Sequence, residues 1–274
     1  HIFATGGTAT DYGDVPDATT PRNMGNPAHG GINLDDIQLP SVTYMPGSGR
    51  GIVQQVGTPS NSNVNYIDIP TLGNSIDFGD LTVARTYSGG VSSLTRAVAG
   101  GGSSPNLDNT IDAVEMAHLG NYSDFGNLSV TRSRPAGFGS TTRGCIAGGD
   151  TPSKSDVIDY ITISSAGNAT DFGNLTEART DKPAGLSSPT RGVVAGGATG
   201  SDNEADVIDY VTISSTGNAT DFGNLTVGRA YFNGVSSTTR GVYSSALSVP
   251  SGPYGGDVID YITIASTGNA TDFG

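Results

Sequence analysis

The sequence has no tryptophan, one cysteine, three histidines and two lysines, Lys154 and Lys182, and each shortage narrows the classes of function open to it. Cys145 alone cannot form a disulfide within the chain. The repeat slot that Cys145 occupies holds Ala97, Val193 or Val242 elsewhere, so it reads as a small buried hydrophobe. His1, His29 and His118 are too scattered to supply the spacing of a metal centre, and no cofactor or metal site is expected. With 13 Lys and Arg against 26 Asp and Glu, the formal charge is −13. Such a surface cannot release counterions from phosphates, which excludes nucleic acid as the main partner. No apolar run approaches the roughly 20 residues of a membrane helix, and no basic-then-apolar segment opens the chain, so no membrane insertion is expected.

What is abundant is glycine, 41 residues, with Ser, Thr and Asn around short β-branched runs, a composition of tight turns joining short strands. These runs recur. Asp-Phe-Gly begins at Asp77, Asp124, Asp171, Asp221 and Asp272, at intervals of 47, 47, 50 and 51 residues, and Asp11-Tyr12-Gly13 is a variant. The phrase is spelled most fully from Asp206 to Arg229. Val207–Ile213 reads as a strand apolar on both faces, Gly217-Asn218 as a tight turn, and residues 219–225 as its antiparallel partner. A short strand near Val235 and another opened by Thr239-Arg240 complete four strands per repeat. Four short strands in a unit of 47–51 residues predict an all-β propeller of four-stranded antiparallel blades.

The repeat resembles kelch blades. Gly148-Gly149 and Gly196-Gly197 fill the diglycine slot, Val157-Ile158-Asp159-Tyr160 the third strand, Phe172 the aromatic of the fourth strand and Arg179 the closing arginine. It departs from kelch in using Phe where Trp is usual, and in replacing the last diglycine by Ser244-Ser245. Residues 1–13 align without gaps on residues 262–274, so both ends stop at the same point of a blade. This phase predicts six blades, with seven as the alternative. Residues 1–13 form a partial blade, 14–49 a proline-rich excursion and 50–274 successive blades, and residues beyond 274 would close the ring.

Repetition also decides how single motifs read. An Asp that held a catalytic metal would occur once, whereas the Asp-Phe-Gly aspartates recur in every repeat. They read as turn-bonding, with the Phe packed between blades. Arg85, Arg132, Arg179 and Arg229 close fourth strands, and Arg50, Arg96, Arg143, Arg191 and Arg240 open second strands. Each is expected to pair with a repeating carboxylate such as Asp159 or Asp171, or with carbonyls of the next blade. Arg22 and Arg134 alone fall outside those slots. Seven Asn-X-Ser/Thr sequons, Asn168, Asn218 and Asn269 among them, are products of the repeated phrase. No nucleophile–base set and no unique carboxylate pair can be singled out, so no catalytic residue is named and no enzyme is expected.

Residues 156–179, 206–229 and 257–274 are also similar to repeats of virion structural proteins of marine tailed phages, including phages of cyanobacteria. That resemblance implies a tail-fibre, appendage or capsid-surface module at the virion surface. Its partners would be other virion subunits, further copies of the chain, and a host receptor or glycan. The alternative is an extracellular bacterial propeller that binds or acts on carbohydrate. Recognition is expected where blades differ in length, at 198–206 and 245–257, with Tyr231, Phe232, Tyr243 and Tyr254 as candidate contacts.

Overall fold

A computed structural model describes residues 50–54, 60–69, 71, 73–103, 105–199, 204–244 and 258–274. They form a β-propeller of five antiparallel sheets. Blade I holds β1 (Arg50–Gln54), β2 (Asn63–Asp68) and β3 (Ile76–Asp80); blade II holds β4 (Gly89–Ser92), β5 (Arg96–Ser103), β6 (Leu107–Glu115) and β7 (Ser123–Asn127). Blade III is β8 (Ala136–Gly139), β9 (Arg143–Ala147), β10 (Ser155–Thr162) and β11 (Thr170–Arg179). Blade IV is β12 (Ala184–Ser187), β13 (Arg191–Ala195), β14 (Val207–Thr212) and β15 (Thr220–Asn224). Blade V is β16 (Gly234–Ser236), β17 (Arg240–Tyr243), β18 (Asp260–Thr263) and β19 (Thr271–Asp272).

The expected count of six blades, or seven, is therefore corrected to five. Residues 1–13, whose likeness to residues 262–274 pointed to a sixth blade, lie with residues 14–49 outside the described residues. Likeness over 13 residues specifies a strand-and-turn propensity, but it does not specify a further sheet for that segment to complete.

Blades II, III and IV are each covered on both sides, and this explains the third strand. In β10 the neighbours Ile158 and Asp159 are both fully buried, facing opposite blades. A register shift between them, repeated at Ile111/Asp112 and Ile208/Asp209, marks a β-bulge. The apolar core is accordingly divided into layers between blades. Val91, Ile111 and Phe125 of blade II meet Ile146, Ile161 and Ile163 of blade III, and Phe138, Ile158 and Phe172 of blade III meet Val194, Val211 and Ile213 of blade IV. Phe78, Phe125, Phe172 and Phe222 of the Asp-Phe-Gly triplets are all buried, while Asp171 and Asp221 are exposed and accept the amides of Gly173 and Gly223.

Three polar seams hold successive blades together. At the outer rim, Phe125 O accepts from Gly167 N at 2.7 Å, and Asn168 Oδ1 accepts from Asn127 N at 3.0 Å. Gly217 with Asn218 and Gly268 with Asn269 repeat this. The sequon asparagines thus have a structural use. Gly126 cannot be replaced cheaply, because at φ 150° an added Cβ would lie 2.3 Å from Gly167 O. Near the axis the inner strands approach backbone to backbone: a Cβ on Gly137 would lie 2.1 Å from Gly90 O, and Ser187 Oγ donates to Gly139 O at 2.7 Å.

The third seam lies in the middle and is ionic. Arg132, leaving blade II, donates to Asp159 Oδ2 of blade III at 2.7 Å and to Val157 O at 2.8 Å, and both side chains are fully buried. Arg85 with Asp112, Arg179 with Asp209 and Arg229 with Asp260 form the same pair. The preceding blade adds a second clasp: Thr176 donates its Oγ1 to Asp209 Oδ1 at 2.6 Å and its amide to Oδ2 at 3.1 Å, and Thr82 and Thr226 do likewise. Burial lowers the pKa of Arg132, Arg179 and Arg229, and in each the charge of the paired aspartate opposes that shift. Where Thr becomes Ser129, the amide still reaches Asp159, but Asp159 Oδ1 has no partner among the described residues.

The strand-2 arginines serve differently. Arg143 lies 4.2 Å from the Tyr160 ring centroid, Tyr160 meets Phe172 edge-on at 6.0 Å, and the guanidinium continues to Ile213 O of blade IV at 2.8 Å. Arg191 repeats this on Tyr210 and Ile264 O. In blade II, where Ala113 replaces the tyrosine, Arg96 pairs with Glu115 instead.

Arg179→Leu leaves Asp209 buried without its cation and should cost about 3–5 kcal/mol in denaturant unfolding, whereas Arg179→Leu/Asp209→Leu should recover a large part of that loss. Ser129→Thr should raise stability by about 1 kcal/mol, because the β-branched hydroxyl is held in place to satisfy Asp159 Oδ1; thermal unfolding checks this.

Candidate functional site

Antiparallel up-and-down strands place alternate connections at opposite ends of a blade. One end carries the turns between first and second strands and between third and fourth strands, and it is nearly uniform. Ser93, Ser140, Ser188 and Ser237 each accept, on Oγ, the amide of the arginine three residues on. The other end carries the loops between second and third strands and the linkers between blades. There the blades differ.

In each linker the latch arginine is followed by Thr, Ser or Ala and then by a residue with positive φ: Tyr87 at 62°, Arg134 at 56°, Asp181 at 55° and Tyr231 at 55°. These four equivalent positions stand just before the inner strands, and hence close to the axis. A non-glycine side chain in this region costs about 1–3 kcal/mol of strain. A chain with 41 glycines has placed none there, although glycine would remove the strain. The side chains are therefore doing something that the backbone does not require.

They meet one another. Arg134 ion-pairs with Asp150, on the loop between β9 and β10, and lies 3.7 Å from Asp181. Its guanidinium carbon is 4.5 Å from the Tyr87 ring centroid and 5.6 Å from that of Tyr231. Tyr231 donates its hydroxyl to Asp181 Oδ1, and Asp150 Oδ1 accepts the Asp181 amide at 3.2 Å. Backbone bonds run alongside, from Arg134 N to Tyr87 O at 2.7 Å and from Tyr231 N to Asp181 O at 3.0 Å.

The cluster is half-buried, with 27% of the Arg134 side chain and 31% of that of Asp181 exposed, so its groups are both ordered and reachable. Burial works against charge on Arg134, but Asp150, together with Tyr231 and Tyr87, holds its pKa above the ordinary value. Burial, and then the bond to Asp181, pushes the Tyr231 hydroxyl up, so it remains a donor. Next to it, desolvation brings the Lys182 ammonium down to about 8. Arg134 Nε has no hydrogen-bond partner among the described residues. An open pocket of about 470 Å³ is walled by Thr131, Thr151, Pro152 and Lys154, of which Thr151 is the residue after Asp150 in the chain.

No protein-family model matches this chain, and a search of curated proteins finds no match. The site thus rests on geometry alone.

Of the candidate aromatics, Tyr231 is in this cluster. Phe232 and Tyr243 are buried, tilted against each other at 5.9 Å in the layer between blades IV and V, and present no contact surface. Tyr254 and the loop 245–257 lie outside the described residues, as do residues 200–203 of the other unequal loop. Tyr87, Asp150, Asp181 and Lys182 were not anticipated. Their signal was legible: the second residue after each latch arginine reads Tyr, Arg, Asp, Tyr within an otherwise repeated phrase, and Arg134 is off-slot for that reason. Among the described residues no group of three or more His, Cys, Asp or Glu is close enough to hold a metal ion. Cys145 is fully buried, and desolvation pushes its thiol up to about 12.

Lys182 gives a direct test of this electrostatic picture. Its folded pKa lies below the ordinary 10.5, so its burial costs stability below pH 8, and the cost disappears as pH rises from 8 through 10.5. In a Lys154→Arg background, the side-chain NMR resonance of labelled Lys182 should titrate near 8. A midpoint at 10.5 would mean a solvated ammonium.

Proposed function

We propose that this propeller is a non-enzymatic recognition module, displayed on a particle surface as a tail-fibre, appendage or capsid-surface component of a tailed phage. The observation that carries the recognition part is the contrast between its two ends. The frame and one end repeat almost unchanged, while the linker end carries different side chains on a strained backbone at four equivalent positions. Near-identical blades clasped by buried ion pairs give a rigid support, and a charge of −13 keeps neighbouring copies from associating nonspecifically. The virion setting rests on the resemblance of the repeat phrase in residues 156–179, 206–229 and 257–274.

The second reading, an extracellular carbohydrate-active propeller, draws on Asp150 and Asp181. Both carboxylates face Arg134, the arrangement of an ion-pair network rather than of a general acid and a nucleophile flanking a glycosidic bond. Binding without cleavage suits these residues better.

Immunogold labelling and mass spectrometry of purified particles from the source of the sequence test the assignment. The chain is expected at fixed copy number on the tail or capsid. Its absence from particles, together with glycan cleavage by the free protein that is lost in Asp150→Asn or Asp181→Asn, would overturn it.

A further inference from the structure

Resting on the recognition reading, we infer that the cluster of Tyr87, Arg134, Asp150, Asp181 and Tyr231 binds an uncharged oligosaccharide, seated at the axis and running outward from Asp150 toward the pocket beside it.

Charge favours a neutral ligand. Arg134 pairs with Asp150 and lies 3.7 Å from Asp181, and Lys182 follows Asp181 in the chain, so the cluster has little net charge of its own, while the chain as a whole is strongly acidic. A phosphate, sulfate or uronate would approach two carboxylates and a net −13; a basic peptide would meet the Arg134 guanidinium at the centre. A neutral polyol meets neither penalty.

Hydrogen-bonding capacity points the same way. Sugar hydroxyls both donate and accept, and they are best met by carboxylates and a planar guanidinium fixed in place by one another. Asp181 and Arg134 are held in this way, with 31% and 27% of their side chains left exposed to a ligand. Tyr87 and Tyr231 flank the guanidinium with half-exposed rings, the amphipathic surfaces on which the C–H faces of a pyranose pack. The positive φ at Tyr87, Arg134, Asp181 and Tyr231 fixes these groups before a ligand arrives, which reduces the ordering cost of binding. The 470 Å³ pocket beside Asp150 has room for more than a single sugar ring.

Glycine at the strained positions separates binding from folding. Tyr87→Gly and Arg134→Gly both relieve a positive φ, so their thermal midpoints should hold close to the parent value, whereas loss of a needed side chain should weaken binding at least about tenfold. The full chain is titrated calorimetrically with neutral oligosaccharides (maltoheptaose, cellohexaose, mannohexaose and a galactan fragment), with sialyllactose as acidic control. Saturable binding of a neutral member, lost in both variants, is the expected result. No binding to any neutral member, binding of sialyllactose alone, or unchanged affinity in folded Tyr87→Gly and Arg134→Gly overturns the inference. Adhesion of the labelled chain to host cells, measured before and after periodate oxidation of their glycans, separates the two claims. Adhesion that survives periodate leaves the recognition reading standing and removes the glycan; no adhesion at all removes the recognition reading itself.

Discussion

The structure depends on a buried ion pair that crosses each of the four described junctions from blade I to blade V. A guanidinium and a carboxylate taken out of water together are stable only when their remaining donors and acceptors are satisfied. At Arg179 and Asp209 most of this is done by the Val207 carbonyl and by the hydroxyl and amide of Thr176, while Arg179 Nε has no hydrogen-bond partner among the described residues and lies 3.7 Å from Glu177 Oε1. The latch fixes the order and spacing of the blades. A blade slipped sideways by one strand position would leave both charges buried and unpaired, so the interface has one register. The apolar layers on either side, such as Ile146 and Ile163 against Val91 and Phe125, supply area but little direction.

This arrangement makes the molecule close to one-dimensional, each blade answering chiefly to its neighbours. The repeated phrase is a consequence of that geometry. The turn glycine and asparagine serve the outer seam, the aspartate and closing arginine serve the latch, and the tyrosine supports the strand-2 arginine that reaches the next blade. Substitutions within the phrase show how tightly these uses are coupled. Where Tyr becomes Ala113, the arginine turns to Glu115, and where Thr becomes Ser129, one carboxylate oxygen is left unpaired.

With the frame so fully committed, freedom to vary remains at the linker end, where the chain passes between blades near the axis. There the strained residues Tyr87, Arg134, Asp181 and Tyr231 build a small polar and aromatic surface whose members lie up to 144 positions apart in sequence, from Tyr87 to Tyr231. The rigidity of the latches and the individuality of this surface are linked, because side chains from different blades can form one site only if the blades do not move relative to one another.

The sequence by itself determined the repeat, the four strands of a blade, the turn glycines and the existence of two arginine slots, because these are local or periodic properties that every repeat states again. It also excluded a basic surface and an internal disulfide. Tertiary structure decided the rest. That five sheets form is a matter of which segments find a seat, and a 13-residue likeness between the two ends could not settle it. That Arg132 meets Asp159 while Asp171 stays in solvent depends on a bulge that turns one face of the third strand toward the neighbouring blade. Phe232 and Tyr243 are core because they sit between two blades, whereas Tyr231, one residue away, stands at the end of the propeller beside Arg134. Adjacency across blades is set by stacking, and a linear pattern records which residues differ from their repeat without recording which of them meet.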